Sequence, residues 1–185
     1  RVDAIASYGA KVVRTKGNYD DAVRQAAEDA AQQGRFVVSD TSYEGYMDVP
    51  KDVVQGYGVV ADEALAQWPE AELPTHVFLQ GGVGGLAAAV CAHLWEQLGA
   101  KRPRFVIVEP DKAACLFESA KQGKPVAVHG ELDTVMAGLA CGEVSLLAWE
   151  ILKPGAQAFL TIDDESALEA MRILADGRFG DAPIV

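Results

Sequence analysis

The stretch that decides the fold is His76-Val77-Phe78-Leu79-Gln80-Gly81-Gly82-Val83-Gly84-Gly85-Leu86. Its first five residues, His76 to Gln80, are nearly continuously apolar, as expected of a strand with both sheet faces covered. A glycine run follows, and Leu86 to Leu98 then reads as a helix. Glycine lets backbone N–H groups converge and lets an anion approach them closely. The helix N-terminus behind the turn adds a partial positive charge. In an open α/β sheet such a turn lies at the carboxyl edge of the strands, where ligands bind. No Lys or Arg stands between Pro74 and Ala100, so a phosphate here would be held by amides. That excludes a Walker loop, which needs Gly-Lys-Ser/Thr. The dinucleotide register G-x-G-x-x-G also fails. Gly82 and Gly84 match, but Ala87 stands last, and the one acid near the required distance is Glu109. Two readings stay open at this point: a phosphate cradle, or close helix–strand packing.

Outward from this turn, strands alternate with helices. Ala10 to Arg14 and Arg35 to Ser39 read as strands, joined by a helix from Tyr19 to Gln33 that Asn18 caps and Gly34 ends. The first forty residues are thus expected to form β-α-β with parallel strands. An irregular stretch, Asp40 to Pro50, leads to a helix from about Lys51 to Gln67. Pro69 and Pro74 bracket a loop. Arg104 to Val108 is a further buried strand, followed by a helix from Lys112 to Ala120. Pro125 to Val128 is expected as a short strand, and Thr134 to Leu139 and Ser145 to Leu152 as helices. Gln157 to Ile162 is a strand, and Asp164 caps a helix to Leu174. The fold class is α/β, with largely parallel open sheets and helices on both faces.

Composition agrees. The chain has 185 residues, half of them apolar and 23% charged, which supports a packed core. No apolar run approaches the ~20 residues that span a bilayer, and no signal segment opens the chain. Sixteen basic residues face 27 acidic ones, a net charge of −11, which argues against nucleic acid or an anionic membrane as partner. The chain opens at Arg1 and closes at Ala182-Pro183-Ile184-Val185, as a processed domain or a piece of a longer protein would. Cys91, Cys115 and Cys141 form no C-x-x-C pair, and His76, His93 and His129 lie at no ligand-like spacing to them, so no metal site is expected. Free buried thiols in a reducing cytoplasm are the expectation, with a Cys115–Cys141 bridge as the alternative.

Three further segments carry chemistry. Asp40 ends an apolar strand beside Ser39, Thr41 and Ser42. A carboxylate there suits acid–base work, or equally a helix cap or Asx turn. Met136-Ala137-Gly138-Leu139-Ala140-Cys141-Gly142-Glu143 is small enough to pass a flat ligand or to pack a helix. Glu109 follows a buried strand directly and reads as an anchor for a loop.

Together these segments resemble a known family. Asn18-Tyr19-Asp20-Asp21, Val38 to Tyr46, Gln55-Gly56-Tyr57, Pro74 to Gly84, Val108 to Ala113 and Met136 to Glu143 come in the order of the diaminopropionate ammonia-lyases. These are pyridoxal-phosphate enzymes of the tryptophan-synthase-β-like fold, fold type II. The resemblance runs over essentially the whole chain. Asp-Thr-x-x-Glu-Gly-Tyr and Ala-Gly-Leu-Ala-Cys-Gly-Glu narrow it beyond the superfamily. It implies pyridoxal 5'-phosphate as cofactor and elimination of ammonia from 2,3-diaminopropionate, leaving aminoacrylate that hydrolyses to pyruvate and a second ammonia. By the same resemblance Gly82, Val83, Gly84, Gly85 and Leu86 form the phosphate loop. Asp40 is the acid that abstracts a proton, and Gly138 and Leu139 pass beside the cofactor ring.

There are departures. The family's loop usually begins Gln-Ala-Gly, whereas Gln80-Gly81-Gly82 stands here. A proline often follows the glutamate at Glu143, whereas Val144-Ser145 stand here. The resemblance places the Schiff-base lysine and a second aspartate upstream of this segment, and the residue facing the pyridine nitrogen downstream. None of Lys11, Lys16, Lys51, Lys101, Lys112, Lys121, Lys124 and Lys153 sits in that lysine's context, so each is expected to be a solvated surface charge. Residues 1–45 are expected to close the small cofactor domain and 46–185 to form the core of the large one. A small amino-acid substrate and a homodimer follow from the resemblance. The segment by itself is expected to be inactive. The rival readings are another fold type II enzyme, such as a serine or threonine dehydratase, and a non-catalytic phosphate-binding domain.

Overall fold

The structure is a computed structural model that describes residues 1–69 and 73–178. The loop expected between Pro69 and Pro74 falls partly outside the described residues, and the final run Ala182 to Val185 falls wholly outside them. The chain divides into two compact units, Arg1–Val37 and Val38–Val185.

The first unit holds α1 (Val2–Ser7) and α2 (Tyr19–Gln33). The expected cap of α2 is present as a full capping box. Asn18 Oδ1 accepts from the Asp21 amide at 3.0 Å, and Asp21 Oδ2 accepts from the Asn18 amide at 2.9 Å. Gly34 closes the helix in the left-handed region. The expected β-α-β is not formed. Ala10–Arg14 and Arg35–Ser39 run as irregular backbone rather than strands, and Phe36 and Val38 are exposed. An apolar pattern supplies side chains for a sheet surface, but a strand exists only where a second backbone completes its hydrogen bonds.

In the second unit, β1 (His76–Gln80), β2 (Arg104–Pro110) and β3 (Ala158–Ile162) form a parallel sheet in the order β1-β2-β3. His76 pairs with Arg104 and Gln80 with Val108 across one seam, and Val106 with Ala158 and Pro110 with Ile162 across the other. The central strand is the most deeply covered, with Phe105 and Ile107 fully buried, as its continuous apolar run requires. Parallel strands need crossovers. Here α4 (Gly85–Leu98) connects the first pair, and α5 (Cys115–Gln122) and α6 (Leu146–Gly155) the second. α3 (Asp48–Gln67) packs on α4, and α7 (Asp164–Asp176) follows the last strand. α4 is apolar almost all round, and its alanines Ala87, Ala88 and Ala89 let α3 and α6 approach closely.

Local chemistry moves several expected boundaries. α3 begins at Asp48, not Lys51, because Pro50 lies in the first turn, where its missing N–H is no loss. α5 begins at Cys115, not Lys112, because its cap is Glu109 from the strand before it. The cap of α7 is Asp163, which accepts from the Ser166 amide at 2.7 Å. Asp164 instead accepts from the Thr134 hydroxyl and the Val135 amide. Those bonds, with Met136 N donating to Thr134 Oγ1, unwind the helix expected at Thr134–Leu139 and leave a single 3₁₀ turn, Ala137–Leu139. Pro125–Val128 is no strand. Its amides go to the Ser119 hydroxyl and the Gly142 carbonyl. All three cysteines are buried and unbridged, so the Cys115–Cys141 alternative does not hold.

Candidate active site

The glycine turn is pinned from behind. Gly81 N donates to Val108 O at 2.8 Å, which carries the β1–β2 ladder one step into the loop. A Cβ at Gly81 would meet Leu116 Cδ1 at 2.9 Å and Glu109 Cγ and Ile107 Cγ2 at 3.0 Å. Gly84 starts the helix with φ +99°, a conformation that favours glycine. The first hydrogen bond of α4 runs from Ala88 N to Gly84 O. The amides of Gly85, Leu86 and Ala87 therefore precede the helical ladder, at the positive end of the dipole.

Asp40 stands over this end. Its Oδ2 lies 2.7 Å from where a Cβ of Gly85 would be, so the glycine is what admits the carboxylate. The Tyr57 hydroxyl, on α3, donates to Oδ2 at 3.3 Å, and Thr41 Oγ1 donates to Oδ1 at 3.5 Å. Asp40 is half-buried, so its carboxylate is held yet reachable.

The third segment meets the same loop from another side. A Cβ at Gly82 would lie 3.4 Å from Gly138 O, Leu139 Cα and Cys141 Sγ. Gly82, Leu86 and Leu139 are partly covered and Gly138 is exposed, so this junction opens outward. Val83, by contrast, turns its side chain into the core and contributes backbone only. The segment is tied down by Asp164, whose carboxyl the Thr134 hydroxyl and Lys112 hold below the usual carboxylate range.

Glu109 completes the support. It is fully buried, and its carboxylate accepts from Leu116 N at 2.9 Å and Phe117 N at 2.6 Å. Burial pushes its carboxyl up to about 7, against those two bonds, which lower it. The first residue of α5 closes the ring, because Cys115 Sγ donates to Gly82 O at 3.4 Å.

The structure thus gathers Asp40, Gly82 to Leu86, Gly138 and Leu139 around one turn. The sequence reading missed Tyr57, although Gln55-Gly56-Tyr57 flagged its segment. It also missed the two thiols flanking Gly82, because residues distant in sequence carry no local sign of meeting. All eight lysines are exposed, and Lys51, Lys112 and Lys121 pair with surface carboxylates. Among the described residues no cluster could hold a metal, and no helix is long and apolar enough to cross a membrane.

A glycine loop that leads into a helix whose first amides, Gly85 to Ala87, precede the helical ladder fits a phosphate group. Over its whole length the chain is 44% identical to diaminopropionate ammonia-lyase of Escherichia coli, of which it covers 47%. A crystal structure of that enzyme, in complex with an aminoacrylate-PLP azomethine reaction intermediate, superposes on all of the chain with a TM-score of 0.90 at 44% identity, and 47% of it is covered. Biosynthetic L-threonine dehydratase of Salmonella typhimurium is 30% identical over 94% of the chain, which spans 31% of that enzyme. The chain thus spans about half the length of the lyase it matches, 47%. The family model for pyridoxal-phosphate dependent enzymes matches residues 1–181. By that match, and by the glycine turn it includes, the chain belongs to the pyridoxal-phosphate-dependent enzyme family.

Proposed function

We propose that the complete protein is an ammonia-lyase that converts 2,3-diaminopropionate and water to pyruvate and two molecules of ammonia. The observation that carries this reading is Asp40 standing over Gly85, at the start of the helix that follows the glycine turn. Bound pyridoxal phosphate supplies the electron sink that makes the substrate's Cα hydrogen acidic. In this reading the amides of Gly82 to Leu86 hold the cofactor phosphate, with the α4 dipole behind them. Gly138 and Leu139 flank the ring. Asp40 accepts a proton from the substrate on its carboxylate, which the Tyr57 hydroxyl orients through Oδ2. We assign the first unit to the small cofactor lobe and the second to the large one, and place a homodimer of the complete protein in the cytoplasm. Because all eight lysines here are exposed, we assign the family's cofactor-linking lysine to another part of the complete protein.

The experiment is a substrate panel on the complete protein. Pyruvate release is expected to be most efficient from 2,3-diaminopropionate. Preference for threonine or serine would move the assignment to a dehydratase, and phosphate-ligand binding without turnover would make it a binding domain. Asp40→Asn is expected to lower kcat on the order of a hundredfold or more. An unchanged rate would remove Asp40 from the chemistry.

A further inference from the structure

Two serines 103 residues apart in sequence form a closed hydrogen-bonded clasp beside Asp40. Ser42 and Ser145 are 1% and 0% exposed, with Oγ atoms 2.8 Å apart. Buried hydroxyls are costly unless bonded, so their partners define what the pair does. Leu147 N donates to Ser42 Oγ at 2.7 Å, and Ser42 N donates to Ser145 Oγ at 3.1 Å. Ser145 Oγ donates to Asp40 O at 3.4 Å. One hydroxyl carries one proton, so the donor between the serines is Ser42. Ser42 thus caps α6 from a distant part of the chain, a cap that Ser145, adjacent to the helix, does not provide.

The backbone of the same residues reaches the other half of the site. Ser145 N donates to Val83 O at 2.9 Å, inside the glycine turn, and Leu146 N donates to Ser42 O at 3.2 Å. Ser145 is therefore a common node. Its amide holds the phosphate loop, and its hydroxyl holds the segment that carries Asp40. We propose that Ser145, acting through Ser42, is a positioning residue that sets Asp40 relative to the glycine turn. This rests on the reading that Asp40 moves the substrate proton. Removing the hydroxyl leaves the loop bond intact and loosens the Asp40 segment, which then keeps only its bonds from Leu146 N and Leu147 N to Ser42 on this side. The effect therefore belongs on the chemical step and not on cofactor binding.

The test uses the complete protein loaded with pyridoxal phosphate. Ser145→Ala is expected to lower kcat on the order of tenfold, as the carboxylate drifts from its productive position. KM and cofactor affinity are expected to stay within about twofold. Amide hydrogen exchange at Ser42 and Leu147 is expected to accelerate. Ser42→Ala is expected to do the same, and Ser145→Thr, which keeps the hydroxyl, to recover part of the loss. In an Asp40→Asn background Ser145→Ala is expected to cost nothing further, because both act on one event. An unchanged kcat in Ser145→Ala would overturn the proposal. So would losses that add to those of Asp40→Asn, or variants that merely unfold or release cofactor, any of which would leave the clasp a packing feature. If Asp40→Asn itself leaves turnover intact, the assignment of Asp40 fails first and the role of Ser145 falls with it.

Discussion

Neighbouring glycines in the turn have different reasons to be glycine. At Gly85 the space a Cβ would take is held by one group, the Asp40 carboxylate at 2.7 Å. At Gly81 it is held by Leu116, Glu109 and Ile107, all core residues. Alanine at each position therefore separates function from stability. Gly85→Ala is expected to displace Asp40 and lower kcat at saturating cofactor, with little change in unfolding midpoint. Gly81→Ala is expected to cost about 1–3 kcal/mol of stability by overpacking, with the chemical step retained. Steady-state kinetics and urea unfolding on both variants check this. Equal loss of stability in the two would show that Asp40 is not what fills the space at Gly85. The departure from Gln-Ala-Gly at Gly81 also acquires a reason here, since in this chain the side chains around it already occupy the place of a methyl group.

Among the elements, α5 shows how a helix can be started from outside itself. Both oxygens of Glu109 on β2 take amides of its first turn, so strand and helix are joined by a buried carboxyl. Burial raises that carboxyl from 4.5 to about 7. Between those values the folded protein keeps a proton that the unfolded chain has released, so stability falls as pH rises through the window. The effect is on the order of 3 kcal/mol. Urea unfolding at about pH 5 and about pH 7.5 is expected to show this decline in the native sequence, and Glu109→Gln to flatten it whatever its overall cost. An unchanged slope in the variant would place the titration elsewhere. Glu109 was legible as an anchor because it follows an apolar strand directly. The helix expected at Thr134–Leu139 was misread for the opposite reason. Its fate is set by Asp164, on a helix about 30 residues later, which no local pattern reveals.

At the scale of the whole molecule, the buried hydrophobic residues among the described ones run from Val54 to Leu152, and none lies in the first unit. Arg1–Val37 contributes two helices and a capping box but no core. In the 185-residue chain by itself, amide exchange is expected to be fastest in residues 1–37 and slowest in β2 and α4. Protection of the first unit equal to that of β2 would show that it folds cooperatively with the core. The sequence by itself determined the parallel α/β class, the strand His76–Gln80, the glycine turn and helix α2 with its cap. These rest on contacts within a few residues, where composition and spacing carry the physics. Tertiary structure alone decided which expected strands form, that Ser42 rather than Ser145 caps α6, and that Tyr57 holds Asp40. Each of these needs two distant segments to meet, and hydrogen bonds across such distances leave no periodic trace in either segment.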